Sequence, residues 1–398
     1  MKKIELLSPA GNLEKLKTAI IYGADAVYIG GKKFSLRARA SNFDLEDIKE
    51  ACEFAKKYNA NVYVTMNIIP HNEDFSGLVD YLKYLENVGV KAIIVSSPHI
   101  IDVALKVAPK LEVHISTQLS ITNSSACNYY QSLGAKRVVL GREVSLDEIE
   151  LITKNTDISL EVFIHGGMCS SYSGRCMLSN HFVNRDANRG GCAHSCRWNY
   201  QLYDNDELIH PQDKYFHIGS KDLMGLKAIP RLIELGVDSL KIEGRMKSEY
   251  YIATIVRCYR NLIDDYYQGK KIDYMYYFSE LLKAENRSTS TGFLFGDVTT
   301  NEQLYELDEI PTKEFVGVVL DYDHDTKIAK IEQRNYFKPG DKLEFFGPKL
   351  PNTHMIVEEI WDEEHNYLNA ARHPKQTIYM KVDFPISQHD MIRLVIDK

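Results

Sequence analysis

Short apolar, β-branched runs alternate with amphipathic stretches along the first 245 residues. Between the runs, apolar positions recur at helical spacing, as in residues 13–22, 45–58, 76–88, 100–108 and 146–155. The eight strand-like runs fall at residues 4–7, 26–29, 62–66, 92–96, 112–115, 137–140, 160–164 and 239–242. Strands that alternate with helices of this length are typical of βα units and a parallel sheet. Eight such units predict an α/β fold, a closed (β/α)8 TIM-like barrel.

One connection in this pattern is much longer than the others. Successive strands lie about 20 to 35 residues apart, but roughly 75 residues separate the seventh from the eighth. The predicted insertion, at about residues 165–215, begins where the seventh strand ends at His165. Barrel enzymes carry their active sites on the loops after the carboxyl ends of the strands. The insertion is therefore expected at the catalytic mouth.

The alternation ends after the eighth strand. A tyrosine-rich helical stretch at residues 248–268 is followed by a less regular connection. From about residue 315 the pattern becomes one of short strand-like runs separated by turns, which predicts a small antiparallel β-barrel. The chain is expected to divide into a barrel over residues 1–270, a connecting segment over 271–312 and a C-terminal β-barrel domain over 313–398.

Composition and charge narrow the function classes. The 398 residues are 44% hydrophobic and 26% charged, and no apolar stretch approaches the roughly 18 residues of a membrane span. The N-terminus lacks the apolar segment of a signal peptide, so the sequence predicts a cytoplasmic protein with reduced thiols. The formal net charge of −7 gives no overall attraction for nucleic acid, so an RNA partner would need a local basic face.

Four of the seven cysteines lie within the predicted insertion: Cys169, Cys176, Cys192 and Cys196. The other three are scattered along the chain: Cys52, Cys127 and Cys258. In a reducing compartment, clustered cysteines bind metal more often than they form disulfides. The arginines among the four favour the thiolate, which is the metal-binding form of the side chain.

The spacing of these cysteines bears on the metal. It is Cys-x6-Cys, then fifteen residues, then Cys-x3-Cys, whereas structural zinc usually takes paired Cys-x2–4-Cys knuckles. A thiolate-only set in a basic, glycine-rich loop also suits an iron–sulfur cluster. The spacing favours a [4Fe–4S] cluster with zinc as the alternative, and it leaves open a disulfide or unrelated buried thiols.

Ionisable residues follow the sixth, seventh and eighth strands. His165 ends strand seven, where it would bind substrate, donate a proton or simply hydrogen-bond the loop backbone. Arg142 and Glu143 follow strand six, and Glu243 and Arg245 follow strand eight. Because arginine pairs carboxylates bidentately, the two arginines suit an anionic small molecule or a phosphate. The alternative is an Arg–Glu lattice that braces the rim. The candidates for catalysis are the histidine and the two glutamates.

Two further segments offer substrate contacts. Gln118, at the end of Ser116-Thr117-Gln118 after strand five, would supply hydrogen bonds. Arg37 and Arg39 follow strand two with aromatic residues nearby, a combination that can hold a nucleic-acid backbone. Two arginines on a solvated loop are the alternative interpretation of that segment.

The segment EVFIHGGMCSSYSGRCMLSN, at residues 161–180, resembles the signature of the collagenase-like peptidases of unassigned catalytic type, family U32. Residues 5–38, 239–260 and 288–297 resemble the same family. The resemblance spans essentially the whole chain, including the terminal β-domain. It implies a barrel enzyme with a [4Fe–4S] cluster, whose ligands by position are Cys169, Cys176, Cys192 and Cys196.

The resemblance also implies a reaction. Bacterial members of the family are hydroxylation proteins that do not use oxygen and act on tRNA, ribosomal RNA or the ubiquinone ring. In some quinone-pathway relatives the fourth cysteine follows a serine-lysine-aspartate motif, but here residues 220–224 read SKDLM without cysteine, while Cys196 is available. The tRNA type fits best. It implies prephenate-dependent hydroxylation of the wobble uridine of tRNA to 5-hydroxyuridine, with Arg142 and Arg245 binding a prephenate-like co-substrate.

Two other functions stay open from the sequence. One is a peptidase acting on collagen-like or other peptides, as the family name suggests. The other is a metal-stabilised RNA-binding protein without catalysis. Neither HExxH nor GxSxG occurs, so a zinc protease or an α/β-hydrolase has no support. The sequence predicts no particular protein partner.

Overall fold

Eight parallel strands close into a barrel in the computed structural model, which describes residues 3–36, 42–212, 215–284, 287–296, 298–299 and 313–396. In chain order, the strands before residue 300 are β1 (Glu5–Pro9), β2 (Ala26–Gly30), β3 (Asn61–Met66), β4 (Ala92–Val95), β5 (Glu112–Ile115), β6 (Arg137–Val139), β7 (Ser159–Gly166), β8 (Tyr203–Asp204), β9 (Glu207–Leu208), β10 (Asp222–Met224), β11 (Ser239–Ile242) and β12 (Thr289–Ser290). The barrel consists of β1 to β7 and β11. Since β11 pairs in parallel with both β7 and β1, the sheet closes on itself, and the predicted fold class is confirmed.

Helices follow the barrel strands and cover the outside, except for α7, which belongs to the insertion. They are α1 (Leu13–Ile21), α2 (Leu45–Lys57), α3 (Leu78–Asn87), α4 (Pro98–Val107), α5 (Ser124–Ser132), α6 (Leu146–Thr153), α7 (Leu178–Val183), α8 (Ile229–Glu234), α9 (Glu249–Tyr267) and α10 (Tyr274–Leu282). Three of the helices begin at a capping residue whose side chain accepts a hydrogen bond from the backbone N–H three residues further along the chain. The capping residues are Asn12 for α1, Asp44 for α2 and Ser145 for α6. No helix in the described part of the chain is both long and apolar enough to cross a membrane.

The helix pattern predicted from the sequence agrees with α1 to α4, α6 and α9 to within about two residues at either end. Helix α5 was not predicted, because its sequence SSACNYYQS buries a single residue, Cys127, and so carries no apolar stripe. Helices α7 and α8 were missed because each is only six residues long.

The long connection between β7 and β11 folds against the barrel mouth. Strand β10 pairs antiparallel with the end of β7, placing Leu223 beside Gly166 and Met224 beside His165. Strand β12 extends this pairing from β10. On the other side, the backbone N–H of Ile69, after β3, donates to the carbonyl of Asn188 in the insertion (3.0 Å). The insertion is thereby attached to strands on both sides of the mouth.

The C-terminal region forms a six-stranded antiparallel sheet, an open half-barrel. Its strands are β13 (Lys313–Asp323), β14 (Ile328–Gln333), β15 (Lys342–Phe346), β16 (Thr353–Ile356), β17 (Thr377–Lys381) and β18 (Met391–Val395). The spatial order is β16-β15-β18-β13-β14-β17. The sequence pattern does not predict strand β17, which pairs antiparallel with β14 over five residues. One face of the sheet covers an apolar core that includes Ile331, Phe345 and Ile392.

Charged side chains join this sheet to the helical layer of the barrel. Arg393 of β18 is fully buried and donates to Glu344 (2.8 Å) and to Glu280 of α10 (3.0 Å). Lys283 bonds both of these carboxylates. Burial alone would raise the pKa of Glu344, but Arg393 and Lys283 hold it at about 2. We call these four residues the interdomain ion cluster.

Candidate active site at the barrel mouth

A cavity of about 130 Å³ opens at the carboxyl ends of the barrel strands. Residues from several barrel strands and from the insertion line it, which is the arrangement expected for an active site on this fold. The candidate residues that line the cavity are Gln118, Arg142, Cys169, Cys176, Cys192, Cys196, Glu243 and Arg245. Folding therefore brings these eight candidate side chains together. Arg37 and Arg39 lie outside the described residues.

The four cysteines of the insertion meet at this cavity. None of them forms a disulfide. Burial raises the pKa of Cys196, Arg197 lowers it, and the neighbouring thiols of Cys169 and Cys192 raise it further, so these three side chains are close enough to interact electrostatically. The backbone N–H of Leu178 lies 3.4 Å from the sulfur of Cys176 and donates to it.

Side chains of the insertion hold the cysteine-bearing loops in shape. Asn188 bonds Cys176 twice, since its Oδ1 accepts from the backbone N–H (3.2 Å) and its Nδ2 donates to the carbonyl (3.1 Å). Arg197 pairs with the buried carboxylate of Asp222 in β10 (3.0 Å) and also donates to the carbonyl of Met168, the residue before Cys169. These bonds fix two of the four thiols relative to the strand ends.

The donor set fits an iron–sulfur cluster. Four reduced thiols around one space, with an N–H donor on a sulfur and arginines nearby, are what a [4Fe–4S] cluster requires of a protein. Within the described ranges, no group of three or more His, Cys, Asp or Glu side chains is arranged around a single metal ion.

Arg142 and Glu243 form an ion pair in the wall of the cavity. Their closest side-chain atoms, Nη2 and Oε2, are 3.9 Å apart, and the Arg142 guanidinium lies 3.9 Å from the ring centroid of Phe163. The hydroxyl of Tyr28 donates to the Glu243 carboxylate (3.0 Å). Burial and then Glu243 raise the pKa of Tyr28 well above its usual value, so the phenol stays protonated and serves as a donor.

Arg245 is buried at the cavity edge. Its Nη2 donates to Ser35 (2.9 Å) and its Nη1 to Thr65 (3.3 Å), so two neutral hydroxyls orient the guanidinium. The guanidinium packs so closely on Gly30 that a Cβ there would overlap Nη1. On the opposite side, Gln118 accepts a hydrogen bond from Asn67 (3.1 Å).

Two predicted catalytic residues do not line the cavity. A bulge in β7 places one extra residue opposite Lys241 and Ile242, and His165 then packs among the tyrosines of α9, with Nδ1 3.1 Å from the Tyr259 hydroxyl. Glu143 instead accepts bonds from the backbone N–H (2.6 Å) and hydroxyl (2.5 Å) of Ser173, and so braces the insertion.

The floor of the cavity holds a lysine that was missed from the sequence. Lys241 is buried, and its Nζ donates to Glu161 (2.6 Å) while lying 4.4 Å from the ring centroid of Tyr28. Arg137 connects Glu161 (3.3 Å) to Glu5 (2.6 Å) further down the barrel. We call Glu5, Arg137, Glu161 and Lys241 the axial ion chain. The signal in the sequence was a lysine between apolar neighbours in strand SLKI, at an inward position.

The three remaining cysteines are buried in the barrel domain, away from the mouth. Burial raises the pKa of Cys52 to about 12 and that of Cys127 to about 11. It also raises the pKa of Cys258, whose thiol donates to the carbonyl of Tyr277. These three thiols are structural.

A closed (β/α)8 barrel with a cysteine-lined, cationic mouth defines the class of this protein. The model of peptidase family U32 matches residues 11–304, and that of the peptidase family U32 C-terminal domain matches residues 311–393. The chain belongs to peptidase family U32.

Relatives in the family carry two kinds of name. The chain is 50% identical to tRNA hydroxylation protein P1 of Bacillus subtilis over 400 residues, which cover 98% of the chain and 95% of the relative. It is 33% identical to tRNA hydroxylation protein P of Escherichia coli, covering 96% of the chain and 94% of the relative. It is also 30% identical to a collagenase of Porphyromonas gingivalis, covering 95% and 94% respectively.

Proposed function

We propose that this protein is a tRNA-modifying enzyme that hydroxylates the wobble uridine to 5-hydroxyuridine without oxygen, using prephenate as co-substrate and a [4Fe–4S] cluster. The observation that carries the proposal is the 50% identity, over 98% of the chain, to a relative named for tRNA hydroxylation. The cationic cavity lined by four cysteines supports it, because the cavity offers a cofactor site and an anion site side by side.

The four thiols would bind the cluster, and neighbouring groups stabilise their thiolate form. Cys169, Cys176, Cys192 and Cys196 would hold the cluster, which supplies electron transfer when bound. The N–H of Leu178 on the Cys176 sulfur stabilises the thiolate form. Burial raises the pKa of Cys196, and the Arg197 guanidinium opposes that rise, so it also favours a thiolate.

The cations of the cavity account for an anionic co-substrate. Arg142 and Arg245 would each bind a carboxylate of prephenate, because a guanidinium offers two parallel donors to a carboxylate. Replacing the C5–H of uridine by C5–OH oxidises the base by two electrons. A co-substrate that gives up a hydroxyl group and takes the hydrogen in exchange balances both atoms and electrons. Tyr28 and Glu243 lie at the cavity and are positioned to hold a proton during the exchange.

The test is complementation in a bacterial strain that makes no 5-hydroxyuridine. Wild-type protein should restore the nucleoside in digested tRNA, measured by mass spectrometry, and Cys169→Ala and Cys196→Ala should each reduce it at least a hundredfold. Cys52→Ala is the matched control, because it removes a buried structural thiol and should leave the nucleoside level unchanged. Restoration by both mouth-cysteine variants would refute the cofactor, and no restoration by folded wild-type protein would refute the function.

The cofactor has its own measurement. Anaerobically purified protein should contain about four irons and four sulfides per chain. Each of the two mouth-cysteine variants should lose both, while Cys52→Ala should retain them. Stoichiometric zinc with no iron would replace the redox proposal by a structural metal site.

A peptidase is the second candidate, supported by the relative named collagenase. A cysteine nucleophile normally needs a histidine base within hydrogen-bond reach. No histidine belongs to the cavity lining among the residues that the structure describes. Gelatin cleavage that survives Cys169→Ala and Cys196→Ala would nevertheless favour this candidate over tRNA hydroxylation.

A further inference from the structure

The insertion that carries the four cysteines presents a cluster of aromatic rings to solvent. Phe182 of α7 is 49% exposed and Trp198 is 39% exposed, with their ring centroids 6.1 Å apart. Tyr200 lies beside them, its ring centroid 5.7 Å from that of Phe182. We call these three residues the aromatic platform. Soluble proteins rarely expose several apolar side chains in one contiguous patch, and such a patch often marks an interaction site.

Hydrogen bonds fix the backbone of the aromatic platform. The Tyr200 hydroxyl donates to the carbonyl of Ser195 (2.6 Å), and the backbone of Tyr200 exchanges two hydrogen bonds with Phe216 (2.9 and 2.8 Å). His217 Nδ1 lies 3.1 Å from the carbonyl of Trp198. The rings are therefore held open to solvent rather than collapsed into the insertion, which lowers the entropy lost when a ligand stacks on them.

The insertion segment that carries the aromatic platform is basic, in a chain that is acidic overall. Residues 165–200 contain four arginines and one acidic residue, whereas the whole chain carries a formal charge of −7. Within the described ranges, Arg175 and Arg185 form no ion pair with a carboxylate. They donate instead to the carbonyl oxygens of Gln118 (2.7 Å) and Cys192 (3.2 Å). Because Gln118 and Cys192 both line the cavity, each of the two arginines lies beside a residue of the cavity wall.

We infer that the aromatic platform, with Arg175 and Arg185, is a docking surface for an unpaired RNA loop. A base beside the target stacks on Trp198 and Phe182, and the loop phosphates reach the two arginines. Aromatic faces accept any splayed base, and guanidinium groups bind phosphate, whereas a base inside a duplex offers no free face. The inference rests on the proposed function, since it states how a tRNA anticodon loop is held over the cavity.

Binding of a labelled anticodon stem-loop to the metal-loaded full chain tests the inference. Trp198→Ala should raise Kd about tenfold, as expected for the loss of one stacked base, while Trp198→Phe should restore most of the affinity. Tyr58→Ala is the matched control, because Tyr58 is an exposed aromatic (53%) at the C-terminal end of α2, outside the insertion, and its loss should leave Kd unchanged. The iron content of each variant reports whether the insertion is folded.

A blunt-ended RNA duplex of the same number of nucleotides separates stacking from charge. Trp198→Ala should leave its Kd unchanged, because a duplex has no base to stack. The double variant Arg175→Gln/Arg185→Gln should weaken both RNAs and reduce the slope of log Kd against log salt by about 1.4 for the loop, which corresponds to two lost phosphate contacts.

The outcomes separate this inference from the proposed function. Wild-type loop affinity in iron-loaded Trp198→Ala would overturn the aromatic platform while leaving tRNA hydroxylation standing. Loop binding that depends on Trp198, in a protein that forms no 5-hydroxyuridine, would keep the docking surface and remove the proposed function. A Trp198-dependent affinity for gelatin peptides, with RNA binding unchanged, would make this surface a peptide site and overturn the inference.

Discussion

The two β-structures in this chain differ in what they bury: the barrel contains a chain of charged side chains, and the C-terminal half-barrel has an apolar core. Inside the (β/α)8 barrel, the axial ion chain runs from the bottom of the barrel to the floor of the cavity. The core of the C-terminal half-barrel is apolar, with residues such as Ile331 and Phe345 fully buried. Its buried ion pair, Glu344 with Arg393, lies at the boundary with the barrel domain.

The contrast follows from what each region has to hold. Barrels of this fold are usually filled by layers of branched apolar side chains, and burying charges there costs free energy unless every charge is paired. The axial ion chain meets that condition, since Glu161 contacts both Lys241 and Arg137. The barrel thus carries paired charge at the floor of its cavity, whereas the core of the C-terminal sheet is apolar in the part of the chain that the structure describes.

The largest effect is expected in the axial ion chain. Glu161→Gln leaves two buried cations short of one partner and should lower the free energy of unfolding by about 3–5 kcal/mol. Urea denaturation followed by circular dichroism measures this loss. The pair of substitutions Glu161→Leu/Lys241→Leu removes both charges and should lose less stability than Glu161→Gln, yet form no 5-hydroxyuridine. Equal stability of Glu161→Gln and wild type would show that the chain of charges is not coupled.

A smaller effect is expected where the two regions meet. Because the pKa of Glu344 is about 2, below its ordinary 4.5, its stabilising contribution is complete above pH 4.5 and is lost as the pH falls toward 2. The wild type should therefore lose up to about 3 kcal/mol of unfolding free energy between pH 5 and pH 2 through this group. In Glu344→Gln the curve of stability against pH should be flatter over that range. Parallel curves for the two proteins would contradict the assignment.

The smallest effect is expected in the apolar core. Ile331→Val removes one methylene from a fully buried site and should lower the free energy of unfolding by about 1 kcal/mol. Formation of 5-hydroxyuridine should be unchanged, since the substitution leaves the charges of the interdomain ion cluster in place. Thermal unfolding and nucleoside analysis of the same preparation check both statements. A loss of activity here would show that the two regions are not separate in function.

The sequence predicted the barrel because its signal is periodic and local. The hydrophobic pattern of about ten residues is enough to predict each barrel strand and most helices, and the four mouth cysteines are close together in the sequence. The axial ion chain has no such local signal. Lys241 and Glu161 are 80 residues apart and meet only when β11 closes against β7. Their pairing depends on which strands are neighbours in the barrel, and the sequence pattern of a single strand does not predict this.

The two placements that differed from expectation, those of His165 and Glu143, have equally physical causes. The strict alternation of an ideal strand would direct His165 inward, but the bulge in β7 shifts the register by one residue. Glu143 follows strand six and is predicted to act in catalysis, but Ser173, 30 residues further on, donates two hydrogen bonds to its carboxylate. A bulge and a long-range bond from an insertion both depend on the folded neighbours of a residue.

Because Cys52, Cys127 and Cys258 are buried, thiol alkylation can report on the four mouth cysteines alone. A buried thiol reacts slowly with alkylating reagents, whereas the four thiols at the mouth are at least partly exposed. Brief treatment of the native chain with iodoacetamide should therefore add four labels when the mouth is empty and none when all four sulfurs are bound to iron. Intact-mass measurement then reads cofactor occupancy directly from the count of carbamidomethyl groups, without reference to colour or turnover.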